Sequence, residues 1–407
     1  VIWLAEMRKN HKGCLLADEM GLGKTLQILA HLYCVKNVHE PFLVVVPTSL
    51  IYNWENEIKK FIPAWKDSLC IQSHVPQLNC KIILVSYDIL RLNQKAYCKE
   101  HYDTIVIDEA QIIKNRDTKK YQAIKKLNAC HRIILTGTPI ENGINDIWSH
   151  FMILMPPMKV IFKTITKGKV SLDSPEFVEL SKKFMQPFIL RRTKQQVLKD
   201  LPARIEKNVY IMMTDKECTI YNKVKAVFLT ALKTGVSGRL NSIALEGLLR
   251  LRQACVSPDL LPSTLYRGGK MKSSKIERAL DYIGGLVKGD NKVLVFSQFV
   301  SILKEMEEYL QEMGIGQVHL YGDTLNRKKA VDKFQHNGDV KVFLISLKAG
   351  GVGLNLTAAN RVILMDDWWN PAVEDQAFSR AHRIGQRSDV MIFRLICKNT
   401  VEEKILL

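Results

Sequence analysis

Short runs of aliphatic and β-branched residues recur along this chain and alternate with segments of helical periodicity, the pattern that a parallel sheet covered on both faces by helices demands. Residues 13–17, 42–46, 81–86, 104–107 and 132–135 read as buried strands, and Pro47, Asp108 and Thr136 stand where such strands end. The alternation returns at 292–296, 318–321, 342–346, 362–365 and 390–396. Between the two blocks the strand signal is sparse, and 216–233 and 242–255 carry apolar residues at helical spacing. The expected fold class is therefore α/β, with two parallel-sheet lobes and a mainly helical region between them. A chain of 407 residues is long enough for two or three domains. The expected division is 1–200, a helical region and basic connector over 201–290, and 291–407.

In open α/β sheets, functional loops gather at the carboxyl ends of strands. The first such loop is Asp18-Glu19-Met20-Gly21-Leu22-Gly23-Lys24-Thr25, between an apolar strand and a helical run. Asp18 stands where a standard phosphate loop has its first glycine. Gly21 and Gly23 nonetheless let backbone N–H groups turn toward phosphate, Lys24 supplies a cation for β and γ oxygens, and Thr25 offers a hydroxyl to magnesium. The second is Asp108-Glu109-Ala110-Gln111, also at a strand end. Two adjacent carboxylates can divide the work, Asp108 on the metal and Glu109 on the attacking water. Acids at a strand end are also common in ordinary surface loops, and it is their company with the phosphate loop that favours chemistry. The turn at 136–139 could relay nucleotide state or be a plain hydrogen-bonded turn.

Later, Ser346 to Thr357 forms a glycine-dense loop after a strand, weak as a lone motif. Arg380 and Arg383 are spaced i and i+3, hence on one helical face if the segment is helical. With no arginine beside the phosphate loop, this pair is the candidate to reach a γ-phosphate, although a solvated basic face has the same spacing.

Taken in order, residues 17–25, 44–50, 108–111, 135–140, 187–194, 295–299, 346–357, 368–371 and 376–386 closely resemble the SWI/SNF family of DNA translocases, within superfamily 2 of the helicases. The resemblance runs essentially end to end. It implies two RecA-like lobes, ATP with Mg²⁺ bound at their interface, and a duplex across both. It implies an ATP-hydrolysing enzyme that moves along double-stranded DNA and displaces or repositions DNA-bound proteins. By position, the nucleotide-binding set is Asp18 to Thr25 with Gln111, the metal residues are Thr25 and Asp108, and the catalytic set is Lys24, Asp108, Glu109, Arg380 and Arg383. Thr48, Ser49, Gly350, Gly351 and Trp368 fall on the DNA side. The sequence departs from the family at Gln111, where many members have His, and in a short 155–183 region. The resemblance also implies that the adenine-recognising segment precedes Val1.

Composition agrees with a polyanionic partner: 59 Lys and Arg against 41 Asp and Glu give a net charge of +18. Nothing approaches the roughly 18–20 apolar residues of a spanning helix, so no membrane partner is expected; reduced thiols fit an intracellular protein, and a monomeric core is expected with the oligomeric state left open. Nine cysteines without a CxxC pair suggest neither a zinc site nor a disulfide framework. The competing enzyme class is a strand-separating helicase on RNA or single-stranded DNA. Such enzymes use aromatic stacking platforms, for which Trp368 and Trp369 are candidates unless they pack into the lobe core.

Overall fold

A computed structural model describes residues 1–36, 38–137, 144–155, 174–198, 200–234, 240–269, 271–289, 291–324, 326–347, 354–368 and 371–405. The chain divides into two compact units, Val1–Asp200 and Leu201–Leu407.

The first unit is built on a seven-stranded parallel sheet: β1 (Cys14–Leu16), β2 (Phe42–Val46), β3 (Leu69–Ile71), β4 (Ile82–Ser86), β5 (His101–Ile107), β6 (Asn128–Leu135) and β7 (Ile189–Leu190), in the order β3-β4-β2-β5-β6-β1-β7. Every residue of β2 and β4 is buried, which is why these strands read as unbroken apolar runs rather than alternating ones. Parallel register puts Leu16 beside Leu135 and Ile107 beside Ile134. The loops leaving β1, β6 and β5 therefore emerge side by side at the carboxyl edge.

The second unit carries β8 (Arg204–Ile211), β9 (Val293–Ser297), β10 (Gly316–Leu320), β11 (Val340–Ser346), β12 (Arg361–Leu364) and β13 (Val390–Cys397), ordered β10-β11-β9-β12-β13-β8. Successive residues of β9 enter different cores: Val293 and Val295 pack on one face with the helices Ser274–Lys288 and Val300–Glu312, and Leu294 and Phe296 pack on the other. The two-faced core follows from the period of two along a strand. A fully buried ion pair, Lys275 Nζ to Glu402 at 2.6 and 2.7 Å, ties the helix Ser274–Lys288 to the helix Val401–Ile405.

The region 201–290 folds within the second unit and opens with a strand that its sequence hides. β8 lies at the sheet edge with most side chains exposed, so its Arg-Ile-Glu-Lys-Asn-Val-Tyr-Ile sequence lacks the buried run that marks the inner strands. β3 and β7 are likewise edge strands and likewise gave no signal. Among the described residues no helix is long and apolar enough to cross a membrane.

Candidate nucleotide site

β1 delivers the chain into a loop whose shape is set by two glycines, with φ of 90° at Gly21 and 71° at Gly23. Both values lie in the left-handed region where a Cβ is disfavoured. The helix Lys24–Cys34 starts directly on Gly23 with no side chain capping its first N–H groups, leaving the positive end of its dipole available to an anion. Lys24 Nζ donates to the Asp18 carbonyl at 2.7 Å, folded back over the loop. Thr25 is half-buried in the first turn. Met20 lies against Gly137 so closely that a Cβ there would meet its side chain at 2.6 Å, so a larger residue at 137 would require Met20 to move.

Two strands away, β5 ends on Asp108, whose N–H donates to the Val45 carbonyl at 2.9 Å. Asp108 Oδ2 accepts from Trp54 Nε1 at 2.9 Å and Oδ1 from the Glu109 N–H at 2.8 Å. The buried Tyr87 hydroxyl donates to the Asp108 carbonyl at 2.6 Å. Burial first, and the adjoining Glu109 carboxylate second, push the Asp108 carboxyl up to about 6. A buried acid shifted in that sense by a neighbouring acid is a site that favours added positive charge. The hydroxyl of Thr25 and the carboxylate of Asp108 are the hard oxygen donors that Mg²⁺ takes, so these residues fit the ion.

Glu109 sits in the left-handed region, φ 51° and ψ 53°, unusual for a residue with a side chain. Such strain persists where surrounding contacts enforce it and is frequent at functional sites. One enforcing contact is Gln111, whose Nε2 donates to Glu109 Oε2 at 2.7 Å; Gln111 Oε1 lies 3.5 Å from the Thr136 hydroxyl. Gln111 thus bonds to the acid and to the turn after β6. Thr138 and Pro139 of that turn lie outside the described residues.

Asp18 is not a spare loop residue. It is wholly buried, and it accepts from the Arg192 N–H at 3.1 Å, from Arg192 Nε at 3.0 Å, from Arg192 Nη2, and from Gln27 Nε2 at 3.1 Å. Arg192 Nη2 also donates to Gln27 Oε1 at 2.8 Å. Next to it the Glu19 N–H donates to the Arg192 carbonyl at 2.9 Å, and Glu19 Oε2 accepts from the Lys194 N–H at 2.8 Å. Sequence reasoning missed Arg192, Lys194 and Gln27 as parts of the site. The signal that could have found them is the aspartate in a glycine position, because a buried carboxylate needs donors from elsewhere in the chain.

In the second unit the expected helical face for Arg380 and Arg383 is corrected. The helix Pro371–Phe378 stops before both. Tight backbone bonds follow, Arg380 N to Ala377 O at 3.1 Å and Ala381 N to Phe378 O at 3.1 Å, and Gly385 has a φ of 101°. Farther on, the buried Gln386 amide holds the turn, its Nε2 donating to the carbonyls of Thr357, Ala359 and Ala381 at 3.2, 2.8 and 3.1 Å. Arg380 is buried, while Arg383 is half-buried with Nη1 3.4 Å from the Leu354 carbonyl. Two carboxylates of the preceding helix carry ion pairs of their own. Glu374 pairs with Arg394 at 2.5 Å and accepts the Trp368 N–H at 2.6 Å, and Asp375 pairs with Arg204 at 2.8 Å.

Of the DNA-side candidates, Thr48 is exposed and Ser49 half-buried in a helical turn directly after β2. Trp368 is half-buried against the second unit's core. Gly350, Gly351 and Trp369 lie outside the described residues.

Residues 1–260 match the SNF2-related domain and residues 274–385 the helicase conserved C-terminal domain. The chain is 36% identical to a Mycoplasma pneumoniae protein named an uncharacterized ATP-dependent helicase, covering 100% of this chain and 40% of that protein. It is 33% identical to the human SWI/SNF-related matrix-associated actin-dependent regulator of chromatin subfamily A member 1, covering 99% of this chain and 41% of the relative. It thus spans about two fifths of the length of these relatives. Among solved structures, the Sulfolobus solfataricus SWI2/SNF2 ATPase core in complex with dsDNA is 36% identical, with a TM-score of 0.48 over 99% of this chain and 87% of that one.

Proposed function

The chain belongs to the SNF2-related family, and on that premise we propose that it is an ATP-driven motor that moves along double-stranded DNA without parting its strands and displaces proteins bound there. The observation that carries the reading is the bonding of Glu109 to Gln111 beside a phosphate loop in the same sheet edge.

In this reading 1–200 is the ATP-binding lobe and 201–407, with the helical region 201–290 folded into it, is the second RecA-like lobe. ATP enters as substrate. Lys24 exchanges the Asp18 carbonyl for β and γ oxygens, and the uncapped N–H groups after Gly23 receive phosphate. Thr25 and Asp108 would hold Mg²⁺, which would supply neutralising positive charge to the phosphates. Glu109 orients water and accepts its proton, and Gln111 fixes the carboxylate that does so. Arg380 and Arg383 supply guanidinium charge to the transferring phosphoryl group. The surplus of 18 positive charges suits a track of phosphates, which is bound without regard to base sequence.

A single-strand helicase is less well supported, because Trp368, one of its two candidate stacking residues, packs partly against the core. Displacement of a third strand from a triplex tests the proposal. An ATP-dependent release that leaves the underlying duplex paired supports it, and separation of the duplex itself contradicts it.

A further inference from the structure

Within the first unit, the Asp108 carboxylate is held from two directions. Its Oδ1 accepts from the Glu109 N–H at 2.8 Å, a bond between neighbours in the chain, and its Oδ2 accepts from Trp54 Nε1 at 2.9 Å. Trp54 stands 54 residues earlier, on the helix Ile51–Phe61, where Ile51, Trp54 and Ile58 recur at helical spacing as the buried stripe. The indole is wholly buried, so its N–H needs an acceptor inside the fold. A neutral acceptor meets that need elsewhere in the same unit: the buried Trp148 donates from Nε1 to the Ser181 hydroxyl at 3.0 Å. Trp54 instead donates to the acid that ends β5, a stronger bond when the acceptor is ionised.

We propose that Trp54 is a positioning residue for the metal-binding acid: its indole N–H holds the Asp108 carboxylate in the orientation that meets the divalent cation of the nucleotide. The proposal rests on the reading above, in which Asp108 and Thr25 would hold Mg²⁺. One donor on each oxygen stops the carboxylate from turning about its Cβ–Cγ bond, and each oxygen has a second lone pair for a cation or for a water of its shell. Mg²⁺ demands near-ideal octahedral geometry, so a carboxylate that must first be turned into place binds it less well. Two further bonds anchor the same residue, from its N–H to the Val45 carbonyl at 2.9 Å and from the Tyr87 hydroxyl to its carbonyl at 2.6 Å. Those bonds set the backbone and would leave the carboxylate able to turn. The indole reaches the carboxylate itself, from a different element of the fold.

The test replaces the Trp54 indole by benzothiophene, introduced as an unnatural amino acid, which keeps the shape and exchanges the N–H for sulfur. Mn²⁺, a paramagnetic stand-in for Mg²⁺, is titrated into the protein saturated with a non-hydrolysable ATP analogue and followed by electron paramagnetic resonance. The variant should bind the ion about tenfold more weakly than the parent, the lower end of what losing a group that orients a metal ligand costs. Its affinity for the analogue in EDTA should stay within about twofold of the parent, because the phosphate loop is untouched. Trp54→Phe should weaken Mn²⁺ binding to the same extent. Ile58→Ala, one turn farther along the same buried stripe, should lower thermal stability and leave Mn²⁺ affinity within about twofold of the parent. Mn²⁺ affinity of the benzothiophene variant within about threefold of the parent overturns the positioning role while the metal reading of Asp108 stands, and an equal loss in Ile58→Ala assigns the effect to packing and overturns it too. A parent that holds Mn²⁺ no more tightly than the analogue alone in solution overturns the metal reading, and the role of Trp54 with it.

Discussion

Gln111 Nε2 lies 2.7 Å from Glu109 Oε2, while the other end of the same amide lies 3.5 Å from the Thr136 hydroxyl. The carboxylate proposed to receive the water's proton is thus tied, through one side chain, to the strand end between itself and the phosphate loop. Glu109 also holds a left-handed backbone that the loop must enforce. Both facts concern the geometry of a base, so the substitutions that follow are read in turnover rather than in fold.

Glu109→Gln retains shape and loses the proton acceptor. Nucleotide binding, followed by fluorescence of an ATP analogue, should stay within about threefold of the parent, while turnover falls by about 10² or more, the usual contribution of a positioned base. Turnover at the parent rate would remove Glu109 from that role.

Gln111→Ala removes the tether and leaves the carboxylate. Its expected cost in stability is small, about 0.5–1.5 kcal/mol for one lost hydrogen bond. Turnover at saturating ATP should drop about tenfold because a loosened base spends less time in a productive orientation. Equal losses in ATP affinity and turnover would assign Gln111 to binding instead.

Acid should weaken the first unit through a pair of buried histidines, His31 and His131. Burial holds His31 and His131 down to about 4, with their mutual repulsion next for His31, so the fold keeps both neutral at pH 7. The unfolded chain protonates them near 6.5 and therefore binds more protons through the window from about 6.5 to 4. Stability contributed by neutral burial is complete above that window and is lost as pH falls through it, by no more than about 3 kcal/mol per histidine. Asp108 and Asp366, both pushed up to about 6 chiefly by burial, act in the opposite sense, because the folded carboxyls take protons first as pH falls. Urea midpoints of the parent and of the His31→Gln, His131→Gln double variant, compared from pH 7 to 4.5, separate the two. The parent should lose stability relative to the variant, and parallel curves would refute the assignment.

Arg383→Lys tests the arginine turn. A lysine keeps one charge but lacks the planar fork, and an arginine supplied to a phosphoryl transition state is worth about 10³ to 10⁵ in rate. Fold, duplex affinity and most nucleotide binding should persist, with duplex-stimulated hydrolysis reduced at least about a hundredfold. Turnover within tenfold of the parent would return Arg383 to a surface role.

The inner strands of both sheets were legible because burial on two faces writes an unbroken apolar run, as in Phe42-Leu43-Val44-Val45-Val46. The strands that escaped reading, β3, β7 and β8, are edge strands with partial burial, where no such run is required. The phosphate loop was legible as a local motif, but the reason for Asp18 was not, since its partner Arg192 lies 174 residues away. Arg380 and Arg383 were legible by spacing and misplaced by conformation. The helix ends at Phe378 and tight turns with a left-handed Gly385 follow, a change of backbone that the i, i+3 spacing does not record.

Steady-state ATP turnover of the purified chain, with Mg²⁺ and saturating ATP, in the absence of nucleic acid and then with duplex DNA, single-stranded DNA or RNA, tests the central claim most directly. A motor on duplex DNA predicts low turnover alone, stimulation of at least about tenfold by duplex, and stimulation that falls steeply with salt, as phosphate contacts do. Equal turnover with and without duplex, or stimulation by RNA or single strands alone, would contradict it.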